Sequence, residues 1–532
     1  MDDPSTARVR PLATLATRAV LYGGLVLIFA RALQYYATAE MNHDVSWFIV
    51  AARRLLEGGR FGADIYELNA PGAVLIYLPA AWLWKLTEWR VDVVLIGYVL
   101  ALAALSLALI GGSLGRELGP SGARLRDAYL LYSAALLFAL PISEFGQREH
   151  LIVILMLPYC ISQALAGAGT PRLVALRGCA AALAAFAIAI KPIYVPLPLL
   201  LMALQVRRLG LRPVLASVEV GVFATLGAAY LASVVCLFPE WIEIARRASR
   251  LYVAYSNSEY FRWSAERWLW MAVPPLVVAA ALNSLVARRR SPGLHRWVDA
   301  LLIFGASALV LFIAQRRGWT YHAVPIKLVI GMALGACLVT AARSFPRPGV
   351  EAAAIGSLVL VAAAASLLSM TEARKLQKRA FLDSDLAQTV GRLADPPVIS
   401  FLATSLSPAF PLVTELGLEW GSRFPCLWTL AGLRYRELQL QAGTPQDDDL
   451  FSTAELSALE DEIVGMVVAD LERYQPSLVV VDERERKQAV DPGFDILARL
   501  SQHESFRAAW QPYVEAGSSD GYVIFQRSPR AP

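Results

Sequence analysis

Four short polar runs interrupt a mostly apolar chain, and their residue types suit one kind of chemistry. The first is His43-Asp44, followed beyond an amphipathic stretch by Tyr66-Glu67-Leu68-Asn69-Ala70-Pro71-Gly72. The second is Ser143-Glu144-Phe145-Gly146-Gln147-Arg148-Glu149-His150. Lys191-Pro192 is the third, and Gln315-Arg316-Arg317-Gly318-Trp319-Thr320-Tyr321-His322 the fourth. Three of the chain's five histidines lie in these runs. Arg148, Lys191, Arg316 and Arg317 could neutralise phosphate oxygens, the arginines with bidentate geometry. A carboxylate could take the proton of an attacking hydroxyl. A departing phosphate is a weak base, so stabilising its growing charge matters more than a strong acid, and fixed cations do that without reorganising. Together the residues suit transfer of a group from a lipid-linked phosphate.

Each residue also has a plainer reading. Asp44 is a good N-cap for a helix over 45–57. His43 could be structural rather than a ligand. Arg148 and Glu149 could form an ordinary interfacial ion pair, and Lys191 could snorkel. Arg316 and Arg317 could meet anionic headgroups nonspecifically. Trp319 and Tyr321 fit an interfacial aromatic belt, and Glu67 and Asn69 fit turn positions before Pro71. Capping accounts for Asp44 alone; it leaves the other three runs unexplained.

The elements that must hold these runs are membrane helices. The 532 residues are 56% hydrophobic and 17% charged, with a mean hydropathy of +0.48, a polytopic membrane composition. The net charge of +5 sits in short loops and forms no basic face with interleaved aromatics, so nucleic acid is excluded as a partner. The five cysteines are scattered and show neither a disulfide framework nor zinc spacing. The first apolar run has no small-residue cleavage site after it and reads as a retained helix. Eleven spans are expected: 17–37, 92–114, 127–142, 150–168, 173–190, 193–205, 213–238, 267–287, 297–314, 322–342 and 350–370.

The apolar stretch 71–88 is the exception. If it does not cross, nearly every basic cluster of the first 371 residues falls on one side, as cytoplasmic loops require. These clusters are Arg8/Arg10/Arg18, Arg116/Arg124/Arg126, Arg172/Arg177, Arg207/Arg208/Arg212, Arg288–Arg290 with Arg296, and Arg343/Arg347. It is therefore expected to lie at the interface. The four polar runs then share the opposite side with the C-terminal region. After residue 371 the composition changes: helical stretches at 371–390 and 453–474 alternate with strands at 397–402, 477–482 and 521–525. The division is a membrane domain, 1–371, and a small soluble α/β domain, 372–532. No glycine-rich phosphate loop opens its helices.

The first loop, HDVSWFIVAARRLLEGGRFGADIYELNAPGAVLIYLP, resembles that of the GT-C superfamily of polyprenyl-phosphate-sugar-dependent glycosyltransferases. The likeness is to the branch of protein O-mannosyltransferases and lipid A aminoarabinose transferases. The shared pattern is an Asp after the first span, a helix ending in Leu-Leu-x-Gly-Gly, then Tyr and Asn-x-Pro before an interfacial helix. Lys191-Pro192 and GWTYHAVP at 318–325 extend it. The resemblance implies a GT-C-like fold of about eleven spans plus interfacial helices, with Asp44 as catalytic carboxylate and Glu149 as the second acidic position. It implies a polyprenyl-phosphate-linked sugar as donor and an unidentified hydroxyl acceptor. His43, Tyr66, Glu67, Asn69, Arg148, Lys191, Arg316, Arg317, Trp319, Tyr321 and His322 are the candidate substrate-binding residues. Val45 follows Asp44 where the family usually carries Asp-Glu. No metal ligand set is read from the residues, although the resemblance admits a divalent cation near Asp44. The implied location is a bacterial inner membrane, N-terminus cytoplasmic and C-terminal domain periplasmic. A transporter or flippase of a lipid-linked sugar, or a non-catalytic membrane scaffold, are the competing classes.

Overall fold

The computed structural model describes residues 4–164, 170–255, 258–287, 292–373, 377–442 and 451–528. Arg288, Arg289 and Arg290, and the last residues of the expected span 150–168, lie outside them. The chain divides into two compact units. One comprises residues 1–39, 93–231 and 258–376; the other comprises 40–92, 232–257 and 377–532.

The first unit is helical. Among the described residues eight helices of the chain are long and apolar enough to cross a membrane: Leu15–Thr38, Val91–Leu118, Pro171–Ile190, Val218–Leu237, Glu259–Leu285, Gly293–Gln315, Thr320–Ser344 and Pro348–Ser369. The other three expected spans are also helices, but shorter: Ala123–Ala139, Arg148–Ala164 and Pro196–Leu209. The first two are sheathed on nearly every side, with residues 127–139 and 148–163 all buried. Their apolar faces meet protein rather than lipid. Small residues let the helices approach: the Tyr132 hydroxyl donates to the Gly331 carbonyl at 2.6 Å, and a Cβ on Gly335 would come within 2.5 Å of the Tyr132 ring. The stretch 71–88 forms two short helices, Gly72–Leu75 and Leu78–Thr87, broken at Ile76 and Tyr77. Neither is long enough to cross.

The second unit is built on a five-stranded sheet: β1 (Val398–Leu402), β2 (Glu419–Trp420), β3 (Leu478–Asp482), β4 (Tyr513–Ser519) and β5 (Tyr522–Arg527), in the order β2-β1-β3-β5-β4. β1 pairs parallel with β2 and β3, whereas β5 pairs antiparallel with β3 and β4. β3, Leu-Val-Val-Val-Asp, is buried throughout, as an unbroken β-branched run in mid-sheet must be. The helix Thr453–Tyr474 leads into it and opens on a capping box formed by Ser452 and Glu455.

The boundary read from sequence, 371/372, leaves residues 40–92 and 232–257 with the membrane helices. They pack instead with the C-terminal chain, and polar groups explain why. Arg54 donates to the carbonyls of Asp64 (2.8 Å), Ser422 (2.6 Å) and Trp420. Ser46 and Thr414 share a buried hydroxyl hydrogen bond of 2.8 Å. Trp241 donates to the Asn69 carbonyl at 2.9 Å, and Tyr255 to that of Thr404 at 2.6 Å. Buried backbone carbonyls need such donors, and these stretches supply them.

Candidate functional site

In the first unit three of the four polar runs meet. The turn from Ala123–Ala139 into Arg148–Ala164 reverses through Pro141, with Ile142 (φ 53°) and Gly146 (φ 73°) in the left-handed region. Gly146 donates its amide to His150 Nδ1 at 3.0 Å, which fixes the first turn of the following helix. Glu149 is thereby placed inside the bundle with no exposed surface.

Lys191, at the C-terminus of Pro171–Ile190, donates its ammonium to Glu149 Oε1. His322 Nε2 lies 3.7 Å from the same oxygen. Two cationic groups, Arg148 and Lys191, each stand 5.8 Å from the centre of the Tyr321 ring, within cation–π reach. Tyr321 packs edge-on to His322 at 4.3 Å, and Trp319 lies 5.6 Å from both rings. The Arg317 guanidinium stacks 5.9 Å from the Trp319 ring. Arg316 is exposed on a left-handed residue (φ 50°). Glu149 pairs with Lys191 rather than in the plain interfacial pair with Arg148 that was the alternative reading, and Lys191 does not snorkel.

Two features mark this cluster as a place for a ligand. Among the described residues Glu149 Oε2 and His322 Nδ1 are buried without a hydrogen-bond partner, and such atoms usually have one. Cations and aromatics also gather around the buried Glu149 carboxylate. Glu144, Thr320 and Lys327 were not singled out from sequence. Thr320 donates to Glu144 at 2.7 Å, and Lys327 donates to the Leu140 carbonyl at 3.2 Å. The available signal was Lys327 itself, a charge inside an apolar run.

The remaining run lies in the second unit. Asp44 sits in the first turn of the helix His43–Leu56 and is not its cap. Asn42 caps instead, its side chain accepting from the amides of Asp44 (3.0 Å) and Val45 (3.3 Å). His43 Nε2 lies 3.7 Å from the Asp44 carboxylate. Glu67 accepts three donors: Trp47 Nε1 at 2.7 Å, the Asn69 amide at 2.8 Å and Asn69 Nδ2 at 2.7 Å. Tyr66 donates its amide to the Arg423 carbonyl at 2.8 Å and packs on Phe424 and Trp428. Burial, with the charge of Glu462, pushes its phenol up to about 12. Tyr66, Glu67 and Asn69 therefore tie the loop in place. Among the described residues no three of His, Cys, Asp and Glu gather in a group that could hold a metal ion.

No family model matches the chain, and no curated protein does. Two solved structures share its fold along almost the whole length. ArnT from Cupriavidus metallidurans, bound to undecaprenyl phosphate, superposes with a TM-score of 0.54 at 14% identity, covering 95% of this chain and 97% of that one. ArnT in the apo state gives 0.53 at 15% identity, covering 95% and 98%. The chain shares the fold of ArnT along almost its whole length, and among its described residues eight helices are long and apolar enough to cross a membrane.

Proposed function

We propose that the chain is a membrane glycosyltransferase that moves a sugar from a polyprenyl-phosphate donor to a hydroxyl acceptor with inversion. One observation carries the reading: Arg148 and Lys191 gather over Tyr321 beside the buried Glu149, in a fold shared with a protein whose structure holds undecaprenyl phosphate. The acceptor oxygen bonds to the anomeric carbon as the carbon–oxygen bond to phosphate breaks, and the electron pair leaves on the phosphate. Asp44 takes the hydroxyl proton. Arg148 and Lys191 stabilise the departing phosphate dianion, with Arg317 as a further cation. Glu149 holds Lys191, while Tyr321 and His322 offer hydrogen bonds to sugar or phosphate. The working face is the external side of a bacterial inner membrane, to which the charge pattern of the loops assigns these runs. No step here requires a metal; chelation of purified protein tests a cation near Asp44.

The experiment is release of polyprenyl phosphate from a panel of radiolabelled polyprenyl-phosphate sugars, comparing wild type with Asp44→Asn. Asp44-dependent release from one donor supports the reading and identifies the sugar. Tight binding of donors with no release by wild type favours the transporter class. Near-normal release by the variant removes Asp44 from the mechanism.

A further inference from the structure

A second polar constellation occupies the opposite end of the first unit from Glu149. The helix Arg148–Ala164 carries Glu149 in its first turn and Gln163 in its last, about 21 Å apart at 1.5 Å per residue. At that far end the helix Pro196–Leu209 finishes in Gln205, Arg207 and Arg208, and Arg296 and Asp299 open the helix Pro292–Gln315. Between them lies a recess of about 200 Å³, lined by these six residues together with leucines 201 and 204 and Ala300.

Its floor is a buried amide pair. Gln163 and Gln205 are each 4% exposed; Gln205 donates to Gln163, which donates in turn to Glu219 at 3.3 Å. Arg177 neutralises Glu219 through two bonds of 2.6 and 2.7 Å. Glu219 therefore does not offset the arginines of the recess. Asp299 is the one acid among the lining residues, and it is already engaged by His295 at 3.2 Å and Asn283 at 2.9 Å. Three guanidiniums thus face one shared carboxylate.

We propose that this recess binds the phosphate headgroup of an anionic phospholipid, held by Arg207, Arg208 and Arg296 over the Gln163–Gln205 floor. Charge complementarity selects the anion, and guanidinium forks match phosphate oxygens. The setting selects a lipid. Leu204 at the rim and Leu200 one turn earlier are 38% and 49% exposed, so acyl chains would lie against the helix where the headgroup enters. The volume is below the roughly 300–1,000 Å³ of sites that enclose a whole small molecule, as suits a headgroup alone. The site is independent of the transfer chemistry.

The test uses the full chain purified in detergent, with phosphatidylglycerol, phosphatidylcholine or inorganic phosphate added. Lipid retention is read by native mass spectrometry, and Tm alongside. Phosphatidylglycerol should be retained in preference to phosphatidylcholine and should raise Tm. Arg207→Gln, Arg208→Gln and Arg296→Gln should each weaken retention about fivefold, the usual effect of one basic residue at a lipid surface. Retention unchanged in all three variants overturns the proposal, and so does equal retention of phosphatidylcholine. Equal stabilisation by millimolar inorganic phosphate overturns the lipid as the source of the anion. Should a variant fail to fold, wild type with photoactivatable phosphatidylglycerol still decides. Crosslinks on 196–209 and 292–315 support the site, and crosslinks confined to other helices overturn it.

Discussion

Glu149 and Glu67 are both buried carboxylates from the polar runs, yet their surroundings differ. Glu67 accepts three donors from Trp47 and Asn69, so its lone pairs are occupied by its own loop. Glu149 has one oxygen held by Lys191 and approached by His322, while its second oxygen has no hydrogen-bond partner among the described residues. The first arrangement is complete and locks a conformation. The second leaves acceptor capacity at a fully buried position beside Lys191, where a hydrogen-bonding ligand gains most. Satisfaction of buried polar groups thus separates a clamp from a site, although both read as "acidic residue in a polar run".

The largest effect that sharpens the contrast comes from a third carboxylate. Asp44→Asn, with Asn42 still capping the helix, should cut transfer by at least about 100-fold while Tm stays within a degree or two; substantial residual transfer breaks the assignment. Lys191→Met strips Glu149 of its cation and leaves a buried charge, so it should cost about 3–5 kcal/mol and abolish donor binding, read by thermal unfolding and donor retention. A stable variant that still binds donor would make Glu149 an ordinary core group. Glu67→Leu removes an acceptor from three donors and should cost about 1–3 kcal/mol while leaving the kcat of the folded fraction unchanged; a selective fall in kcat would erase the distinction between clamp and site. Asn42→Ala should cost about 1 kcal/mol, seen as faster hydrogen exchange over 43–47.

The smallest expected effect is a pH dependence. Burial pushes Asp64 up, but the Arg60 amide and the Arg473 guanidinium outweigh it and hold the carboxyl below its ordinary value of 3.8. A depressed carboxyl contributes stability above its unfolded pKa and loses it as pH falls through the folded one. Urea midpoints measured from pH 5 down to 3 should therefore fall more steeply for wild type than for Asp64→Asn. Parallel curves would show that the Asp64–Arg473 pair contributes nothing.

Much of this was legible in the chain because it rests on local patterns. Apolar length marked the helices, charge asymmetry kept 71–88 from being counted as a span, and β-branched runs marked β1, β3 and β5. β4 escaped because Tyr-Val-Glu-Ala-Gly-Ser-Ser is a polar edge strand with an irregular register at Glu515–Gly517, which breaks the alternation a strand is recognised by. Asn42 and Asp44 are both good caps two residues apart, and sequence spacing does not choose between them. The partner of Glu149 lies 42 residues away, beyond any local rule, so the sequence offered only its neighbour Arg148 as an alternative partner. No reading of Arg54 came from the sequence, because its partners Ser422 and Trp420 lie 368 and 366 residues away. Only the fold shows three carbonyls converging on it.

The second unit gathers three stretches separated by gaps of about 140 and about 120 residues. Its first piece leaves the ribosome long before its last. With synthesis at about 5–20 residues per second, residues 40–92 wait roughly 15–60 s for β1 to be made. During that interval the guanidinium of Arg54 lacks the carbonyls of Trp420 and Ser422, and the serine of position 46 lacks Thr414. The nascent loop is consequently a natural client for a chaperone on its side of the membrane, and a chain truncated before residue 377 would present that client surface permanently to quality control.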